Sequence, residues 1–247
     1  IMSKKNNDNR EMFDSISEEY DFINNLITFG AHNKWKKKIV SISKKTNPKK
    51  ILDLATGTSD IAIELSSIKN CKIIGVDPSS KMLEVGQKKI NNLNLNESIL
   101  LEKGDAEKLK YNNEIFDVVT IGYGVRNFTN LKNSLKEIYR VLKKDGLLII
   151  LETSLPSNPL VRLFYNIHTK LYIKIIGKIF SNNPNAYGYL ESSAKTFPYG
   201  ENFIRILRDV NFKDIRSEIK LFGASTIYLS LIHISEPTRR TPISYAV

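Results

Sequence analysis

The chain has 247 residues, one cysteine (Cys71), and 37 Lys and Arg against 26 Asp and Glu, a formal net charge of +11. With 41% apolar residues it can bury one core of ordinary size, and no break in composition marks a second full domain. A lone cysteine excludes a disulfide-stapled fold and fits a reducing cytosol, the polar start from Met2 to Arg10 is no secretory signal, and no uncharged apolar run reaches the roughly 20 residues of a spanning helix. The positive charge suits nucleic acid, an anionic membrane surface or plain compositional drift, and the lysines are spread along the whole chain.

In chain order, residues 1–45 read as an N-terminal helical cover. Lys49 to Ala55 (KKILDLA) reads as a buried strand, and Asp60 to Ile68 has helical spacing. Cys71 to Val76 is a second strand, ended by Asp77-Pro78, and Ser79 is placed to cap a helix that runs through Ile90. Ser98 to Glu102 and Ile115 to Ile121 are the third and fourth strands. Leu131 to Leu142 sets Leu131, Leu135, Ile138 and Leu142 on one helical face. Asp145-Gly146 makes a turn into a fifth strand, Leu147 to Leu151. Phe212 to Ile219 and Ala224 to Ser230 are strand-like with no helix between them, as in an antiparallel hairpin at a sheet edge.

Strands alternating with helices imply parallel βαβ units and an open doubly wound sheet occupying residues 46–230. An inserted cap at 155–195 and the segment before the first strand are expected to close over the ligand crevice. Residues 160–180 form a basic amphipathic pattern: Arg162, Asn166, Lys170, Lys174 and Lys178 lie on one face, and Leu160, Phe164, Ile167, Leu171, Ile175 and Ile179 on another. That is the pattern of a helix lying on an anionic membrane. The last stretch, 231–247 (LIHISEPTRRTPISYAV), breaks the preceding pattern, reads as translated adapter sequence, and is left out of the fold.

Ligands of such sheets bind at the carboxyl ends of the strands. The first turn runs Asp53-Leu54-Ala55-Thr56-Gly57-Thr58-Ser59-Asp60, with Gly57 where a backbone can approach closely. The G-x-G-x-x-G of a dinucleotide enzyme is missing, and Asp53 suits a cofactor with a positively charged amino acid portion better than a pyrophosphate. Asp77 is placed to accept two ribose hydroxyls. Asp105 and the Ala106 N–H are placed to meet an adenine ring. The ordered set points to a nucleoside cofactor, and Asp53 to one with a methionine portion, as in S-adenosyl-L-methionine.

Three spaced motifs then resemble the ubiquinone/menaquinone biosynthesis C-methyltransferases from about Phe13 to Ser230. Tyr20-Asp21-Phe22-Ile23-Asn24 with Ile27, Thr28, His32 and Trp35 is similar to the family's Y-D-x-M-N-x-x-[I/L]-S-x-x-x-H-x-x-W. Gly122-Tyr123-Gly124-Val125-Arg126-Asn127 is similar to S-F-G-[L/I]-R-N. Arg140-Val141-Leu142-Lys143-Lys144-Asp145-Gly146, ending Leu151-Glu152-Thr153-Ser154, is similar to R-V-L-K-P-G-G-x-x-x-x-L-E-x-S. Thr56 and Ser59 depart from the family loop D-L-A-[G/C]-G-T-G-D.

The resemblance implies a class I methyltransferase fold: a mostly parallel seven-stranded, Rossmann-like sheet with helical cover segments. It implies that Thr58, Asp77, Asp105 and Ala106 bind the cofactor, with Gly122 standing where the family often has a serine. It implies methylation of a ring carbon of demethylmenaquinol, or alternatively of a polyprenyl benzoquinol or another small molecule, at the inner face of the cytoplasmic membrane.

A methyl sulfonium is already electrophilic, so no metal is required. Cys71 begins a strand at the end away from the crevice, which disfavours covalent addition to the ring. A quinol ring needs positioning and a polar group near its hydroxyl. Arg126 and Asn127 are the first candidates, with Tyr20 and His32 reaching in from the N-terminal segment; an ion pair between Arg126 and Glu152 is the competing role for the arginine. A nucleic-acid methylase would carry [N/D/S]-P-P-[Y/F] after the fourth strand, where Gly122-Tyr123-Gly124 stands instead, so nucleic acid is not an expected partner.

Overall fold

A computed structural model of the chain describes residues 10–28, 30–168 and 184–231. Seven strands form one sheet: β1 (Lys50–Leu54), β2 (Lys72–Asp77), β3 (Ile99–Lys103), β4 (Phe116–Gly122), β5 (Leu142–Thr153), β6 (Lys213–Lys220) and β7 (Ser225–Leu231). Their order is β3-β2-β1-β4-β5-β7-β6. β1 to β5 pair in parallel, while β7 runs antiparallel between β5 and β6. The hairpin expected at the sheet edge is therefore present, with β6 outermost.

The central strands are apolar on both faces, as strands covered on two sides must be. Successive residues alternate between two cores. Ile51, Val118, Ile149 and Ile227 face one, and Leu52, Val119, Leu148 and Tyr228 face the other. Helices α2 (Ala31–Lys44) and α3 (Asp60–Leu65) cover the first face with Trp35, Ile39, Ile42 and Leu65. Helix α5 (Leu131–Val141) and helix α8 (Glu201–Arg208) cover the second with Leu135, Ile138, Phe203 and Leu207. Trp35, Ile39 and Ile42 repeat at helical spacing and sit in the sheet core, so α2 is a wall of the domain itself.

Helix α4 (Ser80–Asn92) starts where Ser79 Oγ accepts the Met82 N–H at 3.1 Å, as its sequence foretells. Helix α3 stops at Leu65, short of the expected Ile68, because the Ser66 and Ser67 hydroxyls donate back to the carbonyls of Ile63 and Glu64. β5 begins earlier than expected, at Leu142. Leu142 faces Phe116 and Leu147 faces Val118, so residues 143–146 bulge opposite Asp117 alone, with Asp145 at φ +60° making the turn. Lys143 Nζ donates to Asp117 Oδ1 at 2.7 Å across that bulge.

The described residues also include helices α1 (Tyr20–Ile27), α6 (Pro159–His168) and α7 (Pro184–Thr196). The apolar side chains of α6 face outward: Leu160 is 69% and Phe164 is 71% exposed. Arg162 turns back instead, donating to Pro156 O at 2.8 Å. Lys170, Lys174 and Lys178 of the proposed basic face lie outside the described residues, as does the segment 232–247. Among the described residues no helix is long and apolar enough to cross a membrane.

Candidate active site

The ends of β1, β2, β4 and β5 open on two adjoining cavities. The turn after β1 puts Ala55, Gly57 and Ser59 in the left-handed region, at φ +52°, +55° and +68°. Gly57 adopts that conformation without strain. Ser59, a non-glycine residue, is held there against its preference. The turn is pinned from below by Asp53, whose two oxygens accept from the hydroxyls of Thr56 and Thr120, both at 2.6 Å. Burial pushes the Asp53 carboxyl up to about 6, against the pull of those hydroxyls.

Asp77, at the tip of β2, is also buried, which raises it to about 6. Its Oδ2 accepts the Gly57 N–H and its Oδ1 the Ser79 N–H, both at 2.9 Å. Asp105 accepts the Glu107 N–H at 2.9 Å, which turns the chain after β3 and tucks Ala106 beside it.

The smaller cavity, about 140 Å³, is lined by Asp77, Met82, Asp105, Ala106, Phe128 and Thr129. Thr129 Oγ1 is buried without a hydrogen-bond partner. It is a residue that no motif had singled out. An orphaned hydroxyl beside two carboxylates and an apolar floor fits a nucleoside, which brings both polar edges and a flat ring.

The larger cavity, about 250 Å³, takes in Asp53, Thr58, His32, Trp35, Arg126 and Leu151. Tyr20, Ala55, Gly57, Gly122 and Tyr123 line both cavities and form the seam between them. A Cβ at Gly122 would lie 2.3 Å from Ile61 Cδ1, the far end of a side chain that would have to turn aside.

Arg126 is nearly sealed in, with its side chain 7% exposed and that of its partner Glu152 at 0%. Nη1 donates to Glu152 Oε1 at 2.6 Å and to Tyr123 O at 2.8 Å. Glu152 Oε1 also accepts the Thr153 N–H at 2.7 Å. The ion pair weighed from sequence is real, yet Arg126 Nε stays buried with no partner. Asn127, by contrast, lines the smaller cavity, with its Oδ1 accepting from Tyr189 at 3.2 Å. Among the catalytic candidates the structure thus gathers Arg126, Tyr20 and His32 around the larger space and sets Asn127 with the nucleoside-shaped one. Burial raises the Tyr20 phenol, and the nearby Arg126 charge opposes that shift.

The N-terminal segment is tied to the loop by carboxylates. Asp21 accepts from the Thr58 hydroxyl and, at 2.8 Å, from Lys89 Nζ. Asp60 lies between Lys36 and Lys89. Asp14 accepts from the Ser79 hydroxyl. Burial pushes the Asp60 carboxyl up, but the Lys36 and Lys89 charges together overcome this and hold it below the usual range. Asp21 carried no expected role, although its place beside Tyr20 in the first motif was a signal.

A seven-stranded sheet with one reversed strand next to its edge, carrying acidic groups at successive strand tips, defines a class I S-adenosyl-L-methionine-dependent methyltransferase. A Thermotoga maritima crystal structure titled as a SAM-dependent methyltransferase, possible histamine N-methyltransferase, shares this fold at TM-score 0.56 and 18% identity, covering 91% of this chain and 100% of that one. The chain belongs to the ubiE/COQ5 methyltransferase family, whose model matches residues 1–231. It is 34% identical to the demethylmenaquinone methyltransferase of Bacteroides fragilis over 226 residues, 91% of this chain and 92% of that one. It is 37% identical to that of Chlorobaculum parvum over 235 residues, 93% and 95% of the two chains.

Proposed function

We propose that the chain methylates a ring carbon of demethylmenaquinol to give menaquinol, working on the cytoplasmic side of the membrane. The observation that carries this reading is Arg126, a cation that lines a largely apolar cavity joined to a nucleoside-shaped one and keeps a buried Nε–H without a partner. An N–H of a cation left unpaired in such a place is costly unless a ligand oxygen accepts it. A quinol supplies that oxygen on an otherwise apolar ring, and the names of the relatives point to the same substrate class.

In this reading Asp77 holds the ribose, and Asp105, Ala106 and Thr129 meet the adenine. Gly57, Thr58 and Asp53 surround the methionine end, and Gly122 lets the donor lie close against β4. Bound S-adenosyl-L-methionine supplies an electrophilic methyl group and needs no metal to activate it. Arg126 stabilises negative charge on the quinol oxygen while Glu152 fixes the guanidinium. Tyr20 and Trp35 enclose the ring and exclude water. Asn127 belongs to the cofactor wall. Incubation with methyl-labelled S-adenosyl-L-methionine and each reduced precursor is expected to label the naphthoquinol. Label found only in the benzoquinol would replace the substrate, and label in neither would end the reading.

The polyprenyl tail needs an apolar exit. Leu160, Leu163 and Phe164 on α6 and Phe222, 81% exposed at the β6–β7 tip, present one beside Tyr165 and Leu221 of the larger cavity. Leu221 and Phe222 both stand at positive φ, +45° and +54°, a strained turn that displays rather than buries its side chains. The patch is assigned to an anionic membrane surface. The double substitution Phe164→Asp and Phe222→Asp is expected to weaken binding to anionic liposomes about a hundredfold or more in a sedimentation assay, since each aromatic contributes about 1.5–3 kcal/mol when buried. Unchanged sedimentation would remove this surface from the membrane contact.

A further inference from the structure

We infer that His32 takes the proton of the quinol hydroxyl during methyl transfer, and that Nε2 is the accepting atom. The inference rests on the quinol reading above.

The atom assignment follows from counting protons. The Thr28 hydroxyl lies 2.8 Å from Asn24 O, a carbonyl that can only accept, and 2.5 Å from His32 Nδ1. A hydroxyl has one proton. Two oxygens at 2.8 Å with no proton between them would repel, so the Thr28 proton points at Asn24 O. The Thr28 oxygen must then accept at the second contact, and Nδ1 carries the hydrogen. The neutral ring therefore keeps its lone pair on Nε2, which has no hydrogen-bond partner among the described residues. Thr28 and His32 lie either side of the bend at Gly30, and both line the larger cavity.

The carboxylates of that wall are already committed, and its other titratable groups, the phenols of Tyr20, Tyr123 and Tyr165 and the side chains of Lys36, Lys195 and Arg126, are poor bases at neutral pH. Asp21 and Asp60 are held by Lys89, and Asp60 also by Lys36. Both oxygens of Asp53 take hydroxyls. The Tyr20 and Tyr123 phenols are raised by burial, and Arg126 stays cationic. The charged groups acting on the imidazole are Lys36, Asp60 and Asp21. Burial first and Lys36 second lower its pKa, outweighing the two carboxylates, so the ring is neutral at pH 7.

The step balances. The hydroxyl proton passes to Nε2, and the electron pair left on oxygen enriches the neighbouring ring carbon. That carbon bonds the methyl, and the S–C pair stays on sulfur as a thioether. The ring C–H proton leaves to water, and the phenolate so formed recovers the proton from the imidazolium. One proton per turnover reaches solvent.

The test combines a spectrum and a pH profile. Long-range 1H–15N correlation of the neutral ring of the wild-type protein is expected to show His32 as the Nδ1–H tautomer. The Nε2–H tautomer would overturn the inference whatever the kinetics. His32→Asn keeps a donor for the Thr28 oxygen but has no base. It is expected to lose 10²–10³-fold in kcat. It should keep the wild-type Kd for S-adenosylhomocysteine, and it should lose the acidic limb of the kcat profile that wild type shows below about pH 6.5. Thr28→Val, which frees the tautomer, should show an intermediate kcat and a mixed spectrum. If wild type methylates the quinol and His32→Asn matches its rate and its pH profile, the inference falls alone. If wild type methylates no quinol, the reading beneath it falls as well.

Discussion

Arg126→Ala is expected to lower kcat about 10³-fold while leaving the Kd for S-adenosylhomocysteine within about twofold, as for loss of a donor that meets charge formed during the reaction. The same substitution strands Glu152, which is fully buried. Breaking a buried pair costs about 3–5 kcal/mol, so the urea midpoint should fall as well. The two effects can be separated. Replacing both partners, Arg126→Met with Glu152→Gln, removes the buried charges together and should restore most of the stability without restoring turnover. Arg126→Lys should not rescue the rate, because an ammonium lacks the planar fork that bonds Glu152 and Tyr123 while presenting Nε. A double variant that is both stable and active would show that the pair only supports the fold.

Asp77→Ala is expected to weaken S-adenosylhomocysteine binding about a hundredfold or more, because hydrogen bonds to a charged group are worth about 1.5–3 kcal/mol each. The carboxyl is raised to about 6, so wild-type affinity should fall as pH drops through 6 and the acid becomes protonated. The stability of the ligand-free fold runs the other way. A folded pKa above the unfolded value means that the contribution of this group is fully present below about pH 4 and is lost as pH rises through 6. Asp77→Asn should therefore be more stable than wild type at pH 8, by on the order of 3 kcal/mol, and about equal to it at pH 4. Calorimetry with S-adenosylhomocysteine and thermal melts at both pH values check this. PH-independent affinity in the wild type would remove Asp77 from the ribose.

The strands were readable because their apolar runs are short and bounded by Asp-Pro, Gly-Asp and Asp-Gly. Ser79 as a cap needed only its own hydroxyl and the run behind it. What escaped the sequence was decided across space. Helix α8 went unmarked although Pro198-Tyr199-Gly200 stands just before it, and it places Phe203, Ile204 and Leu207 in the core. Thr129 looks like any loop threonine until the fold buries its hydroxyl. The glycine at 122 looked like a lost contact, and only the fold shows Ile61 Cδ1 in the space a side chain there would take. Asn127 adjoins Arg126 in sequence, yet the single helical turn at Val125–Asn127 points the two side chains at different cavities.

Asp21 grips two partners at once, the hydroxyl of Thr58 and the ammonium of Lys89. A newcomer that claims Thr58 frees one oxygen of this carboxylate and leaves the other bound. The first helix can thus change its hold on the loop without drifting off the protein, as a hinge turns on a pin that stays in place. Successive rounds of substrate exchange would then start from a helix already docked, and the chain would not have to find its closed arrangement anew each time.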